Sequence, residues 1–216
     1  MEKSKYNDII FITLTNSGYI HYTLNCLKSL ENINFEMKLK CYCLGKEGFN
    51  TLKSKKYESR LVENSEELSK FKQWKEKGVE SIYSQKFPII YKNLLKYKFV
   101  CFTDGDIVYQ NNKFLDYCLS DIGDNDLLIQ NDTCKNSDNR VVCSGFMFIR
   151  SNEKTLNLFN PKNIVKSTKV KKWGDQVYVN EIKEKLNFKT LPLELFPNGK
   201  YYYLNNEVLE KKSKKP

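Results

Sequence analysis

The chain has 216 residues, of which 40% are hydrophobic and 13% aromatic. That is enough apolar side chain for one self-sufficient core and too much for a disordered segment. Its 36 basic and 26 acidic residues give a formal net charge of +10, a balance that first suggests nucleic acid or an anionic membrane surface. Only Arg60, Arg140 and Arg150 are arginine, however, and alanine is absent. The excess charge is then a lysine coat of the kind that AT-rich coding places on solvated positions. Arginine, the residue of bidentate phosphate and base recognition, is scarce, so specific nucleic-acid binding is not expected.

The cysteines (Cys26, Cys41, Cys43, Cys101, Cys118, Cys134 and Cys143) are odd in number and form no C-x-x-C pair, and His21 is the single histidine. Zinc would need four such ligands, so reduced thiols in a cytosol-like compartment are expected. No apolar signal region follows the first residues and no run reaches about 18 apolar residues, which predicts a chain neither secreted nor membrane-spanning. One domain over residues 1–210 is expected, with a basic tail at 211–216.

In chain order, residues 8–15 are a continuous apolar run, the pattern of a strand buried on both faces. Asn16-Ser17-Gly18 closes it with helix-capping chemistry, and Ile20, Leu24, Leu27 and Leu30 then recur at helical spacing. Residues 39–44 read as a second strand ended by Gly45. A lysine-rich segment with Leu61, Leu68, Phe71 and Trp74 at helical spacing leads to Gly78. Residues 87–95 read as a helix opened by Pro88, and 98–103 as another buried strand. Further strands are expected at 126–130, 142–150 and 188–192, with a helix over 177–186. Strands alternating with helices predict an α/β domain with a mixed, mostly parallel sheet flanked by helices.

Ligands of open α/β sheets bind outside the carboxyl ends of the strands, and the strand at 98–103 runs directly into Asp104-Gly105-Asp106. Carboxylates two residues apart on extended chain point to the same side, and the intervening glycine lets a ligand approach the backbone. Hard oxygen donors of this kind suit Mg²⁺ or Mn²⁺, completed by water and phosphate. Asp-Gly is also a common turn dipeptide, but here apolar chain (Ile107-Val108-Tyr109) follows, where a hairpin would reverse the pattern.

Four stretches in fixed order resemble the GT-A glycosyltransferases, specifically the nucleotide-diphospho-sugar transferase group. They are residues 9–16 with Gly18-Tyr19, Lys86 through Asp104-Gly105-Asp106 to Val108, residues 144–151, and Trp173-Gly174-Asp175-Gln176. The resemblance implies a GT-A domain whose residues 8–108 form the nucleotide-binding half and 109–210 the sugar and acceptor half. It implies that Asp104 and Asp106 hold Mn²⁺ (or Mg²⁺) against the diphosphate, with Gly105 between them. Thr13, Thr15, Asn16 and Tyr19 would serve the nucleoside, Lys86 the phosphates or sugar, and Ser144 and Gly145 the donor sugar. Asp175 and Asp132 are the catalytic carboxylate candidates, and Gln176 belongs to the element facing the sugar. The same residues have plainer readings: a helix cap for Asn16 and Asp175, a solvated lysine for Lys86, a bulge for Gly145, an Asx-turn for Asp132. Many such enzymes add a C-terminal histidine to the metal; here the expectation is that Asn198 or a water completes the shell, or that Lys200 meets the phosphates.

The implied activity is metal-dependent transfer of a sugar, from a UDP-sugar foremost, to a hydroxyl of a glycan or glycoprotein. The setting expected is the cytoplasm of a bacterium, or of a host cell if the chain is viral. Rival readings are a nucleotidyltransferase using the same carboxylate pair, a basic nucleic-acid-binding module, and a silent sugar-nucleotide binder. A nucleotidyltransferase would carry a Gly-Ser loop and helix ahead of its carboxylates, and a nucleic-acid module exposed aromatic and arginine residues interleaved.

Overall fold

The structure, a computed structural model, describes residues 6–63, 65–73, 76–164 and 174–204. The apolar run at the start of the chain becomes β1 (Ile9–Asn16), buried along nearly its whole length, and the capping residues behind it turn the chain into α1 (Ile20–Asn32). There follow β2 (Lys40–Leu44), α2 (Lys46–Ser54), β3 (Ser59–Glu63), α3 (Glu66–Ser69), α4 (Val79–Tyr83) and α5 (Lys86–Leu94). The second part contains β4 (Phe99–Asp104), α6 (Phe114–Asp121), β5 (Leu127–Asn131), β6 (Val142–Arg150), α7 (Glu153–Leu158), α8 (Pro161–Ile164), α9 (Asp175–Ile182) and β7 (Phe188–Leu191).

The strands form one seven-stranded sheet in the order β3-β2-β1-β4-β6-β5-β7. β3, β2, β1 and β4 run parallel; β6 is antiparallel to both β4 and β5, and β7 is parallel to β5. Period-2 alternation divides β1 between two cores. Ile9 and Phe11 pack with Leu27 and Leu30 of α1 and with Phe114 and Leu115 of α6. Ile10 and Ile12 pack with Phe87 and Ile90 of α5 and with Tyr178 and Val179 of α9. A mixed, mostly parallel sheet flanked by helices is thus what the chain builds.

One expectation is overturned. The segment around Leu61, Leu68 and Phe71 is not a helix. Leu61 lies in β3, where it pairs with Cys43 of β2, and Ser65 then caps the single turn α3 by accepting a hydrogen bond from the Leu68 amide. An edge strand with one neighbour gains little from burial, so its apolar residues carry no period-2 signature. Trp74, Trp173 and the tail at 211–216 lie outside the described residues.

Order and direction fix where ligands go. The connections from β1 lead to β2 on one side, while β4 returns on its other side, so the carboxyl ends of β1 and β4 form the switch point of the parallel half. Leu14 is paired with Asp104 there. Because β6 runs the opposite way, its first residues lie beside the end of β4, with Phe146 opposite Thr103. On the β5 side, Ile129 pairs with Met147 but Gln130 with Cys143, so residues 144–146 bulge out of that ladder. Bulges re-aim side chains, and this one faces the end of β4.

Candidate active site at the switch point of the sheet

The Asp104 carboxylate leaves the end of β4 half-exposed, and Asp106 two residues on is exposed. Lys86, at the start of α5, is buried; its Nζ lies 3.0 Å from Asp104 Oδ1, donates to the Ser144 carbonyl at 3.3 Å, and forms an ion pair with Asp175 Oδ2. It also sits 4.7 Å from the centre of the Phe102 ring. An ammonium so enclosed exists only with anions around it. Burial opposes its charge, but Asp104 and Asp175 outweigh that and hold Lys86 above its ordinary range. The solvated-lysine reading is thereby excluded.

Asp175 opens α9 directly after Gly174, whose φ of 85° is a left-handed conformation suited to glycine. Its buried carboxylate accepts a hydrogen bond from Ser144 Oγ at 2.7 Å. Burial would raise its pKa, but Lys86 and Ser144 reverse this and keep it low and ionised. As the first residue of a helix, Asp175 also meets the positive end of the helix dipole. Asp104 goes the other way: burial and the charges of Asp175 and Asp106 push it up to about 6 against the pull of Lys86. Solvent reaching the 41% exposed side chain moderates that push.

Glycines make the arrangement possible. A Cβ on Gly145 would lie 3.1 Å from Asp104 Oδ2, and one on Gly105 2.5 Å from Thr23 Oγ1. Gly145 is therefore both a bulge residue and the space beside a carboxylate oxygen. Cys143 borders it, its Sγ accepting from the Gly145 amide at 3.4 Å. Burial, then the charge of Asp104, pushes that thiol up to about 12, so it is neutral and poorly nucleophilic.

At the end of β1, Tyr19 donates from its hydroxyl to Asp106 Oδ2 at 2.8 Å. Burial, then Asp106, raises its pKa, so it remains a phenol. Its ring meets Tyr22 at 4.6 Å and lies parallel to Phe71 at 6.0 Å. Asn16 is fully engaged: Oδ1 accepts from the Tyr19 amide at 2.8 Å, while Nδ2 donates to the carbonyls of Leu68 (3.0 Å) and Lys70 (2.9 Å). Thr15 accepts from Thr23 Oγ1 at 2.7 Å. Thr13 is buried two residues earlier with its hydroxyl unpartnered.

On the far side, Gln176 Nε2 donates to Asp132 Oδ2 at 2.8 Å, joining the start of α9 to the loop after β5. Both are among the residues singled out in the sequence, as are Lys86, Asp104, Ser144, Gly145 and Asp175, which the fold gathers into one network. Asn198 is committed elsewhere, donating to the carbonyls of Asn131 and Thr133 and accepting from the Tyr201 amide. Lys200 is exposed, as is His21 on α1. Sequence reasoning placed Phe71 only in a helical spacing; its position beside Tyr19 had no signal in the sequence.

The donor chemistry fits a small hard cation. Asp104 and Asp106 supply two carboxylates, and the missing Cβ at Gly145 leaves room at Asp104 Oδ2. Among the described residues no group of three His, Cys, Asp or Glu side chains gathers to complete a protein-only cage. None of the helices among those residues is long and apolar enough to cross a membrane.

Residues 38–215 match the family model described as nucleotide-diphospho-sugar transferase. A Dictyostelium discoideum UDP-galactose:fucoside alpha-3-galactosyltransferase is 24% identical over 94% of this chain, which spans only 38% of that relative's length. The solved glycosyltransferase GlyE of Streptococcus pneumoniae superposes with a TM-score of 0.61 at 16% identity, over 94% of this chain and 50% of that one. A galactosyltransferase, LgtC, solved with donor and acceptor sugar analogues, gives 0.56 at 12% identity, over 85% of this chain and 74% of that one. The shared fold is of the GT-A type.

Proposed function

This chain belongs to the nucleotide-diphospho-sugar transferase family, and from that premise we propose that it transfers a hexose from a UDP-sugar to a hydroxyl of a glycan or glycoprotein, with Mn²⁺ or Mg²⁺ as cofactor. The names of the relatives favour galactose as the sugar. The observation that carries the reading is the buried Lys86 joining the carboxylate at the end of β4 to the carboxylate that opens α9. Residues 8–108 form the nucleotide half and 109–210 the sugar and acceptor half in this proposal.

Asp104 and Asp106 would hold the cation, which when bound supplies Lewis-acid stabilisation of the departing diphosphate. Lys86 keeps Asp104 and Asp175 ionised side by side, which two carboxylates would otherwise resist. Ser144 fixes the rotamer of Asp175, so a carboxylate of set orientation faces the donor sugar. There it orients hydroxyls and stabilises positive charge developing at the anomeric carbon. Asp132, steadied by Gln176, offers a second, exposed carboxylate towards the acceptor side. Tyr19 presents a ring to the nucleoside while its hydroxyl orients Asp106.

A thermal-shift screen of nucleotide sugars with and without Mn²⁺ tests the reading, since a ligand that binds only the folded state raises the melting temperature by mass action. A metal-dependent rise with UDP-galactose or another UDP-sugar is expected. Flat curves across UDP- and GDP-sugars would overturn it.

A further inference from the structure

Residues 65–73, between β3 and α4, lie across the loop at the end of β1. Asn16 Nδ2 bridges the carbonyls of Leu68 and Lys70, and Leu68 is buried against Leu44 and Ile82. Gly18 and Gly45 admit the segment: a Cβ on Gly18 would lie 2.1 Å from the Phe71 backbone nitrogen, and one on Gly45 2.5 Å from the Ser69 Cβ. At its surface Glu66 pairs with Lys70 at 3.0 Å and Lys72 approaches Glu67 at 3.6 Å.

All this fixes Phe71 beside Tyr19, with the two ring planes 8° from parallel, yet Phe71 remains 45% exposed. Packing on Tyr19 and the loop beneath leaves nearly half of the Phe71 ring surface open to a ligand at the same end of the sheet as Asp106. An aromatic face fixed parallel to a neighbouring tyrosine is what a planar heterocycle stacks on. We infer that Phe71 is a second stacking residue for the nucleobase of the donor, carried by the β3–α4 connection and set in place by Asn16. The inference rests on the UDP-sugar reading and adds to it a specificity-determining residue outside the stretches that resemble the family.

Stacking on the base predicts a defect confined to ligands that carry one. Phe71→Ala should weaken UDP binding, measured by calorimetry with Mn²⁺, by roughly tenfold or more. Inorganic pyrophosphate with Mn²⁺, measured against the same variant, should bind as it does to the wild type. Phe71→Trp should restore UDP affinity, and the melting temperature should move little in either variant. At saturating donor kcat should hold while KM for the donor rises. Wild-type UDP affinity in Phe71→Ala, or equal losses for UDP and pyrophosphate, would overturn the inference alone. A wild-type protein that binds no UDP in the presence of metal overturns the donor reading and this inference with it.

Discussion

At one end of the site the enclosed charges of Lys86 and Asp175 meet beside the half-exposed Asp104; at the other, Tyr19, Tyr22 and Phe71 meet as half-exposed rings. The charged end depends on Lys86, because removing the ammonium leaves the buried Asp175 desolvated and uncompensated. Removing a ring instead costs contact area at a surface that water can reoccupy. Stability and chemistry are therefore coupled at the charged end and separable at the aromatic one.

The largest expected effect tests that coupling. Lys86→Met should cost about 3–5 kcal/mol of stability by denaturant titration, as for a broken buried ion pair, and should abolish sugar transfer. Near-wild-type stability would mean that the two carboxylates do not depend on the ammonium. Asp104→Asn comes next: metal-dependent UDP binding should fall by roughly a hundredfold or more. Its melting temperature should drop far less than that of Lys86→Met, since Asp175 still pairs with Lys86. Survival of full metal dependence would remove Asp104 from the cation site.

Gly18→Ala probes the aromatic end, because its Cβ collides with the backbone of Phe71. UDP affinity should drop by roughly tenfold and the melting temperature should fall as the anchored backbone is displaced, while pyrophosphate affinity is nearly kept. A matching loss of pyrophosphate affinity would show that the two ends are not separable. The smallest effect is expected from Gln176→Ala, which removes one exposed hydrogen bond to Asp132. A change within about 0.5 kcal/mol of stability, accompanied by a rise in acceptor KM rather than donor KM, would assign Asp132 to the acceptor side.

The buried strands were legible because their patterning is local. β6 occupies residues 142–150 as its apolar run indicates, and β1 and β4 differ from expectation by a residue at each end. β3 was not legible, since Ser59-Arg60-Leu61-Val62-Glu63 forms an edge strand with no buried face. The helices α2 and α6 went unread because short amphipathic pieces give little more than two turns of periodicity. In the site, the residue types at Asp104, Asp106 and Asp175 stood out, but their connection did not. No spacing rule joins Lys86 to Asp175, and Lys86 carried the same one-letter signal as every solvated lysine. Phe71 was hidden for a related reason: what distinguishes it is Asn16 and Gly18, more than fifty positions earlier.

The Lys86 knot also bears on how the chain assembles during synthesis. Lys86 meets Ser144 across 58 residues of sequence and Ser144 meets Asp175 across a further 31. The contacts that make the charged corner are thus long-range, and their loop-closure entropy is repaid only when β6 and α9 dock. As the polypeptide emerges from the N-terminal end, β1, β2 and β4 have their sequence available well before Asp175 exists. Until then Lys86 has Asp104 as its one carboxylate partner in this network, and burial of its ammonium is least compensated. Arrival of α9 is accordingly the step that completes the ion network, bringing the second carboxylate to Lys86 and Tyr178 against Phe87 of α5.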